Sequence, residues 1–215
     1  MTITKIVLIR HGETAWNAER RLQGHIDIAL NDEGLRQAGA LAAALSGASF
    51  DAIYASDLQR AHQTAQALAT LHNMPVLTEP GLRERCFGGF EGLLYAEIAQ
   101  RFPREFAAWQ ARDVDGVMPA GVREAETFRQ FYQRCTGTIT TIAQRHPGQT
   151  LALVAHGGVL ECAYRAALGL SLETARDFPV LNASINRLRV DGGVLTLESW
   201  GEVGHLRRDV LDELG

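Results

Sequence analysis

The sequence predicts a three-layer α/β/α sandwich, with a mostly parallel sheet that has an antiparallel edge. Short apolar segments alternate with segments of helical period along most of the 215 residues. Near the C-terminus, two alternating segments flank the turn Asp191-Gly192-Gly193, which is typical of a hairpin. Strand patterns stop between residues 86 and 122, so this part is expected to be a helical insertion.

Three segments have the continuous apolar character of strands that are buried on both faces. They are Lys5–Arg10, Asp51–Ser56 and Thr150–His156. A turn and then a helical pattern follow each of them, as in a parallel sheet that is covered by helices.

Apolar residues at helical spacing predict the helices between these strands. One helix covers residues 35–45, with Asn31 or Asp32 as its N-cap, and a second starts at Ser56 or Asp57. A third covers residues 160–168.

The insertion at residues 86–122 contains a helical pattern near residues 95–102 and two prolines. We expect it to lie over the active site, where it could act as a lid, with helix resuming near Arg123 and continuing to His146. No repeat or linker divides the chain, so residues 1–215 are expected to form a single domain.

Composition excludes several classes of protein. The net charge of −4 argues against a nucleic-acid partner. No apolar run reaches the length of a membrane span, and no secretory leader is visible, which favours a cytoplasmic protein without a membrane partner. The three cysteines have no disulfide or zinc-site spacing and are expected to be reduced packing residues: Cys86, Cys135 and Cys162.

Basic side chains follow each of the three apolar strands. The first strand ends in Arg10-His11, Arg60 lies on the first turn of the helix after the second, and the third ends in His156. Because ligands of parallel sheets collect at the carboxyl ends of strands, these side chains are expected to converge. Two guanidinium groups beside helix N-termini would form an anion site that suits phosphate.

A histidine beside a bound phosphoryl group can act as a nucleophile if one ring nitrogen is unprotonated. The departing alcohol then needs a proton, which a carboxylic acid can supply. Glu84 is the candidate because it follows a probable short strand at residues 75–79 and precedes a glycine-rich turn.

Each residue also has a structural interpretation. Taken alone, His11 or His156 is more often a packing histidine, and Glu84 could pair with Arg83 or Arg85. The joint pattern favours function, because placing arginine and histidine directly after a buried strand is costly without an anion or partner.

At this point the sequence is identified as similar to a known family. The segment "LIRHGETAWN" resembles the signature of the histidine phosphatase superfamily, in its phosphoglycerate mutase-like branch. The resemblance continues through "RLQGHIDIALNDEGLRQA", "IYASDLQRAHQTA", "LRERCFGGFEG", "GVREAETFRQF" and "LALVAHGGVL", and so touches nearly the whole chain.

The resemblance implies a phosphohistidine intermediate on His11, without a metal ion or other cofactor. It makes Arg10 and Arg60 the phosphate-holding arginines, His156 the second histidine and Glu84 the proton donor. It also implies that four further residues border the phosphate pocket: Asn17, Gln23, Gly24 and Gly157.

The expected function is hydrolysis of small phosphorylated metabolites, because the phosphoglycerate mutases of this family are longer than this chain. A cofactor-dependent phosphoglycerate mutase is the alternative, and a catalytically weak phosphate-binding or regulatory protein is a second. Homodimers are common among similar proteins, so a homodimer is possible here.

One motif favours a different phosphatase chemistry. Asp113-Val-Asp-Gly-Val117 matches the nucleophile loop of magnesium-dependent haloacid dehalogenase-type phosphatases. That chemistry needs the first aspartate at the end of a buried strand. Because the preceding residues have a helical pattern, we interpret the motif as a loop of the insertion.

Overall fold

A computed structural model describes residues 2–206 and 210–212. Its sheet has six strands in the order β3-β2-β4-β1-β5-β6. Strands β1 to β4 are mutually parallel, whereas β5 is antiparallel to both β1 and β6, so the predicted sheet with an antiparallel edge is confirmed. The strands are β1 (Thr4–Arg10), β2 (Ala52–Ala55), β3 (Val76–Thr78), β4 (Thr150–Ala155), β5 (Ile185–Asp191) and β6 (Val194–Glu202).

Helices cover both faces of the sheet. They are α1 (Ala15–Glu19), α2 (Asp32–Ala44), α3 (Gln59–His72), α4 (Tyr95–Arg101), α5 (Pro103–Gln110), α6 (Phe128–Arg145) and α7 (Gly157–Leu168). Short 3₁₀ turns occupy Pro80–Leu82 and Gly88–Phe90.

The two core layers follow from the alternation of side chains along each strand. Ile6 and Leu8 of β1 pack in the cluster that contains residues of α6 and α7. Val7 and Ile9 point the other way, into the cluster formed with α2 and α3. Both faces of β1 are therefore buried, which explains its continuous apolar sequence.

Some helix starts differ from the sequence prediction. Helix α2 does begin as predicted, because Asn31, one of the two candidate N-caps, caps it. Its Oδ1 accepts a hydrogen bond from the Gly34 amide at 2.8 Å. Helix α6 begins at Phe128 rather than near Arg123, because Thr127 forms a capping box there. Helix α3 likewise begins at Gln59, later than predicted.

Residues 86–122 contain α4, α5 and a 3₁₀ turn, and build a third apolar cluster that includes Phe90 and Ile98. The Asp113–Val117 motif follows α5 rather than a strand, and the Asp113 amide donates to the Ala108 carbonyl. The bounds of the insertion and the single-domain organisation remain predictions.

In the described part of the chain, no helix is both long and apolar enough to cross a membrane. The three cysteines are buried free thiols.

Candidate active site

The strands β2, β4 and β1 are neighbours, so their carboxyl ends meet at one edge of the sheet. Arg10 pairs in register with Ala155, which places the residues after β1 beside those after β4. The His11 and His156 rings consequently approach edge to face, with their centres 5.1 Å apart. Arg60 lies in the first turn of α3, directly after the end of β2.

The His11 ring has a defined orientation. Its Nδ1 lies 2.7 Å from the carbonyl oxygen of Gly12. A carbonyl can only accept, so Nδ1 bears the proton and Nε2 has the unprotonated lone pair. The backbone of His11 is fixed as well, because its carbonyl accepts from Asn182 Nδ2 at 3.0 Å and from the Ala183 amide at 3.2 Å.

Gly12 permits this turn because there is no room for a side chain. A Cβ at Gly12 would lie 2.6 Å from the Gly34 carbonyl oxygen at the start of α2. The Gly12 amide also donates to Thr64 Oγ1 at 3.0 Å, which ties the turn to α3. A larger residue here would push the turn at His11 and Gly12 away from both helices.

Both predicted arginines are buried and bound to backbone carbonyls. Arg60 donates to Gly24 at 2.8 Å and to Ile26 at 3.0 Å, which holds the loop after residue 22 against α3. Arg10 donates to Val180 at 2.6 Å, which holds the segment before β5. The two guanidinium groups thus lie beside His11 in a fixed arrangement.

Burial lowers the pKa of His11 well below its ordinary value, and the positive charges of Arg60 and Arg10 lower it further. The bond to Gly12 opposes this shift. Burial and the same arginines, together with His11 and His25, likewise lower the pKa of His156. Both rings are therefore neutral at pH 7, as a nucleophile and a neutral donor require.

His156 is fully buried, and among the residues that the structure describes neither of its ring nitrogens has a hydrogen-bond partner. A buried polar ring of this kind costs free energy unless a ligand satisfies it. Its position against His11 makes an oxyanion in this pocket the natural partner.

The Glu84 side chain lies against the first residues of α7. Its Oε2 accepts from the Gly158 amide at 3.0 Å and its Oε1 from the Arg85 amide at 2.8 Å. Arg134 of α6 donates to the Glu84 carbonyl at 3.0 Å and pairs with Glu126, so this segment is anchored. Arg83 pairs with Asp57 rather than with Glu84.

A narrow cavity lies between these groups. Six of the sequence-predicted residues line it: His11, Asn17, Gln23, Gly24, Arg60 and Glu84. Arg10 and His156 are packed behind it, close enough to lower the pKa of His11 or to contact its ring. Gly157 is the first residue of α7, where helix amides are available to an anion.

Sequence reasoning missed several residues of this region. Arg20 and Asp212 line the cavity, although no motif considered from the sequence included them. Trp16 also lines it and lies within the segment "LIRHGETAWN", but it was given no role. His25, which was given no functional role from the sequence, has its Nε2 2.7 Å from the Glu84 carbonyl oxygen. The Nε2 of His205 lies 3.1 Å from the Ala183 carbonyl oxygen.

A second cavity, of about 360 Å³, adjoins the narrow one. Glu84, Phe87 and Tyr95 line both cavities and mark the boundary between them. Its wall contains further aromatic residues of the insertion and α6, including Trp109 and Phe128. Glu84 therefore borders both the narrow cavity and the larger one.

Within residues 2–206 and 210–212 there is no group of three or more His, Cys, Asp or Glu side chains that could hold a metal ion.

Comparison with known proteins assigns the family. Residues 6–203 match the model of the histidine phosphatase superfamily (branch 1). The chain belongs to this superfamily. It is 39% identical to phosphoglycerate mutase-like protein 4 of Arabidopsis thaliana, over 94% of this chain and 86% of the relative.

Two other members are informative. The chain is 37% identical to the metal-independent phosphoserine phosphatase of A. thaliana, over 95% of this chain and 84% of that protein. It superposes with a TM-score of 0.81 and 28% identity on Entamoeba histolytica phosphoserine phosphatase in complex with 3-phosphoglyceric acid, covering 94% of this chain and 98% of the other. This chain therefore has the fold of an enzyme whose structure was solved with a phosphorylated small molecule.

The two buried histidines predict a specific dependence of stability on pH. Below about pH 6.5 the unfolded chain protonates them while the native protein does not, so the free energy of unfolding decreases as pH falls. Each should contribute a loss of about 1 kcal/mol between pH 7 and pH 5.5. Urea unfolding of wild type and His156→Asn at both pH values measures it.

The loss on acidification should be about 1 kcal/mol smaller in His156→Asn than in wild type. Replacing the partly exposed His62 of α3 with Asn is the control. An unchanged loss in His156→Asn would contradict a neutral, buried His156.

Proposed function

We propose that this protein is a metal-independent phosphatase that hydrolyses small-molecule phosphate monoesters through a phosphohistidine on His11. The observation that supports it most is the 2.7 Å contact of His11 Nδ1 with the Gly12 carbonyl oxygen, in a pocket that also contains two buried arginines. This arrangement keeps Nε2 unprotonated beside a site suited to an oxyanion.

In this proposal the phosphoryl group occupies the narrow cavity. Arg10 and Arg60 neutralise its charge, and His156 donates a hydrogen bond to one of its oxygens. The border of the pocket would comprise Asn17, Gln23, Gly24 and Gly157. The side chain of Asn17 accepts from the Thr14 amide at 3.0 Å, which fixes its orientation at the cavity edge.

In the first chemical step, the Nε2 lone pair of His11 forms a bond to phosphorus. The bond from phosphorus to the ester oxygen breaks, and that oxygen receives the proton of Glu84. In the second step a water gives a proton to the Glu84 carboxylate and attacks phosphorus. The bond to Nε2 breaks, its electron pair returns to the ring, and inorganic phosphate leaves.

The position of Glu84 at the boundary of the two cavities supports its role as proton donor. From there the carboxyl group can reach an ester oxygen whose phosphoryl group is in one cavity and whose alcohol is in the other. The backbone amides of Arg85 and Gly158 hold the carboxyl group, so no second side chain has to be ordered to position it.

A phosphoglycerate mutase is the second candidate. The name of the A. thaliana relative, phosphoglycerate mutase-like protein 4, favours it. A mutase would use the same first step but return the phosphoryl group to a second hydroxyl of the substrate instead of to water. The relative named as a metal-independent phosphoserine phosphatase favours hydrolysis.

We predict that the protein hydrolyses p-nitrophenyl phosphate equally well with and without EDTA. His11→Ala should lower kcat/KM by at least about 10³-fold because it removes the nucleophile. The matched control is His62→Ala, a histidine of α3 outside the cavity lining.

Loss of activity in EDTA that magnesium restores, together with loss in Asp113→Ala, would instead support the chemistry of the Asp113–Val117 motif. A coupled assay that interconverts 2- and 3-phosphoglycerate faster than phosphate is released would support a mutase. No turnover of any ester would support a binding or regulatory protein.

A second prediction concerns the amide that holds Glu84. A Cβ at Gly158 would lie 2.3 Å from Glu84 Oε1 and 2.8 Å from Phe131 Cε1. Gly158→Ala should therefore displace the carboxyl group and lower kcat/KM about 10²-fold for an alkyl phosphate. The loss should be smaller for p-nitrophenyl phosphate, whose leaving group needs no proton.

Gly137→Ala is the matched control, because a Cβ at this position of α6 has no neighbour within 4 Å. It should keep full activity and be as stable as wild type or more so. If Gly158→Ala does not fold, Glu84→Gln tests the same step. Equal losses on both substrates would contradict the role of Glu84.

A further inference from the structure

The second cavity is large for the simplest substrates of such a phosphatase. Its volume of about 360 Å³ lies at the lower end of sites that enclose drug-sized ligands, roughly 300–1,000 Å³. A three-carbon alcohol such as serine or glycerate would leave most of this volume to water. A leaving group that fills the cavity has to be considerably larger.

Aromatic rings form much of the cavity wall. The Trp109 ring of α5 lies 5.5 Å from Tyr95, 5.7 Å from Phe87 and 5.9 Å from Phe106, measured between ring centres. Phe90, which is fully buried, packs against the same indole at 5.8 Å and anchors it to the insertion. The indole is therefore preorganised as a flat apolar surface.

Phe128 and Phe131 supply an aromatic surface from α6. Their ring centres are 6.4 Å apart, and both line the cavity. An aromatic ring that enters the cavity would meet rings from α5 and from α6, and each such contact adds to the free energy of burial.

The charged residues of the cavity largely balance one another. Three arginines and three carboxylates line it: Arg85, Arg112, Arg176, Glu84, Asp113 and Glu161. Arg112 pairs with Glu161, and Arg176 pairs with Asp212. Because each of these two arginines is already paired with a carboxylate, it is less able to bind a second anionic group of a substrate.

Arg85 is the residue of the wall that could favour a carboxylated alcohol. It is 4% exposed, and its Nη2 has no hydrogen-bond partner in the described part of the chain. Burial lowers its pKa to about 10, although Glu126, Glu84 and Glu161 oppose the shift. Because these carboxylates are already close to Arg85, we expect its Nη2 to donate to a neutral acceptor on the substrate and not to a carboxylate.

The Arg85 guanidinium also extends the flat surface. Its carbon lies 5.5 Å from the ring centre of Phe87 and 5.8 Å from that of Phe128. Arginine in this arrangement stacks on planar groups as the rings do.

We propose that this cavity is a leaving-group compartment that selects phosphate esters of alcohols with a planar aromatic ring over esters of small charged alcohols. The proposal rests on the phosphatase function above and names its substrate class. The ring occupies the space beside Trp109, the phosphoryl group lies next to His11, and the ester oxygen is placed at Glu84 between them.

The test compares 2-phenylethyl phosphate with ethyl phosphate. Both esters release a primary alcohol, so the difference between them reports the aromatic ring rather than the leaving ability. We expect kcat/KM to be at least about 10-fold higher for the phenylethyl ester. Phosphoserine and 3-phosphoglycerate should be poorer substrates than 2-phenylethyl phosphate.

Trp109→Ala should lower the ratio of the two kcat/KM values by about 10-fold, because it removes the flat surface. Phe50→Ala is the control, since Phe50 packs in the cluster on the other face of the sheet and should leave the ratio unchanged. If Trp109→Ala does not fold, Trp109→Leu keeps an apolar side chain at this position but not the ring, and should also lower the ratio.

Equal kcat/KM for the two esters, or a preference for phosphoserine or 3-phosphoglycerate, would overturn this inference and leave the phosphatase function intact. A ratio that Trp109→Leu does not change would overturn it as well. If wild type hydrolyses none of these esters and not p-nitrophenyl phosphate either, the proposed function fails, and the inference fails with it.

Discussion

The hydrogen bond between His11 Nδ1 and the Gly12 carbonyl is the interaction on which the site depends. It determines which ring nitrogen bears the proton and which faces the cavity. Burial and the charges of Arg60 and Arg10 act in the same direction, because they disfavour a second proton on the ring. One local contact and one property of the whole pocket therefore produce the same neutral tautomer.

The fold supports this contact from several directions. Strand β1 is central in the sheet, so the residue that follows it starts from a rigid position. Asn182 and Ala183 hold the His11 carbonyl, and the close approach of Gly12 to Gly34 sets the path of the loop. On the opposite side, the Arg134–Glu126 pair anchors the segment that contains Glu84.

The convergence of three predicted residues has a physical reason that the sequence contains. Arg10 ends one apolar strand and His11 and His156 follow such strands, so their meeting at one edge required only that the strands be parallel neighbours. The wall of the second cavity could not be predicted in this way. Trp109 packs on rings from α4, from its own helix α5 and from the 3₁₀ turn at Gly88–Phe90 with the residue before it. Helical period alone does not specify which of these rings meet. The start of α6 was missed because the Thr127 cap outweighed the helical pattern before it.

The central claim is that the phosphoryl group is transferred to Nε2 of His11. The most direct test is rapid quenching of the enzyme in alkali during turnover, followed by peptide mapping of the phosphorylated residue by mass spectrometry. The account predicts phosphohistidine at His11 with the phosphoryl group on Nε2, since Nδ1 is bonded to Gly12. Phosphorylation of another residue, or of Nδ1, would contradict it.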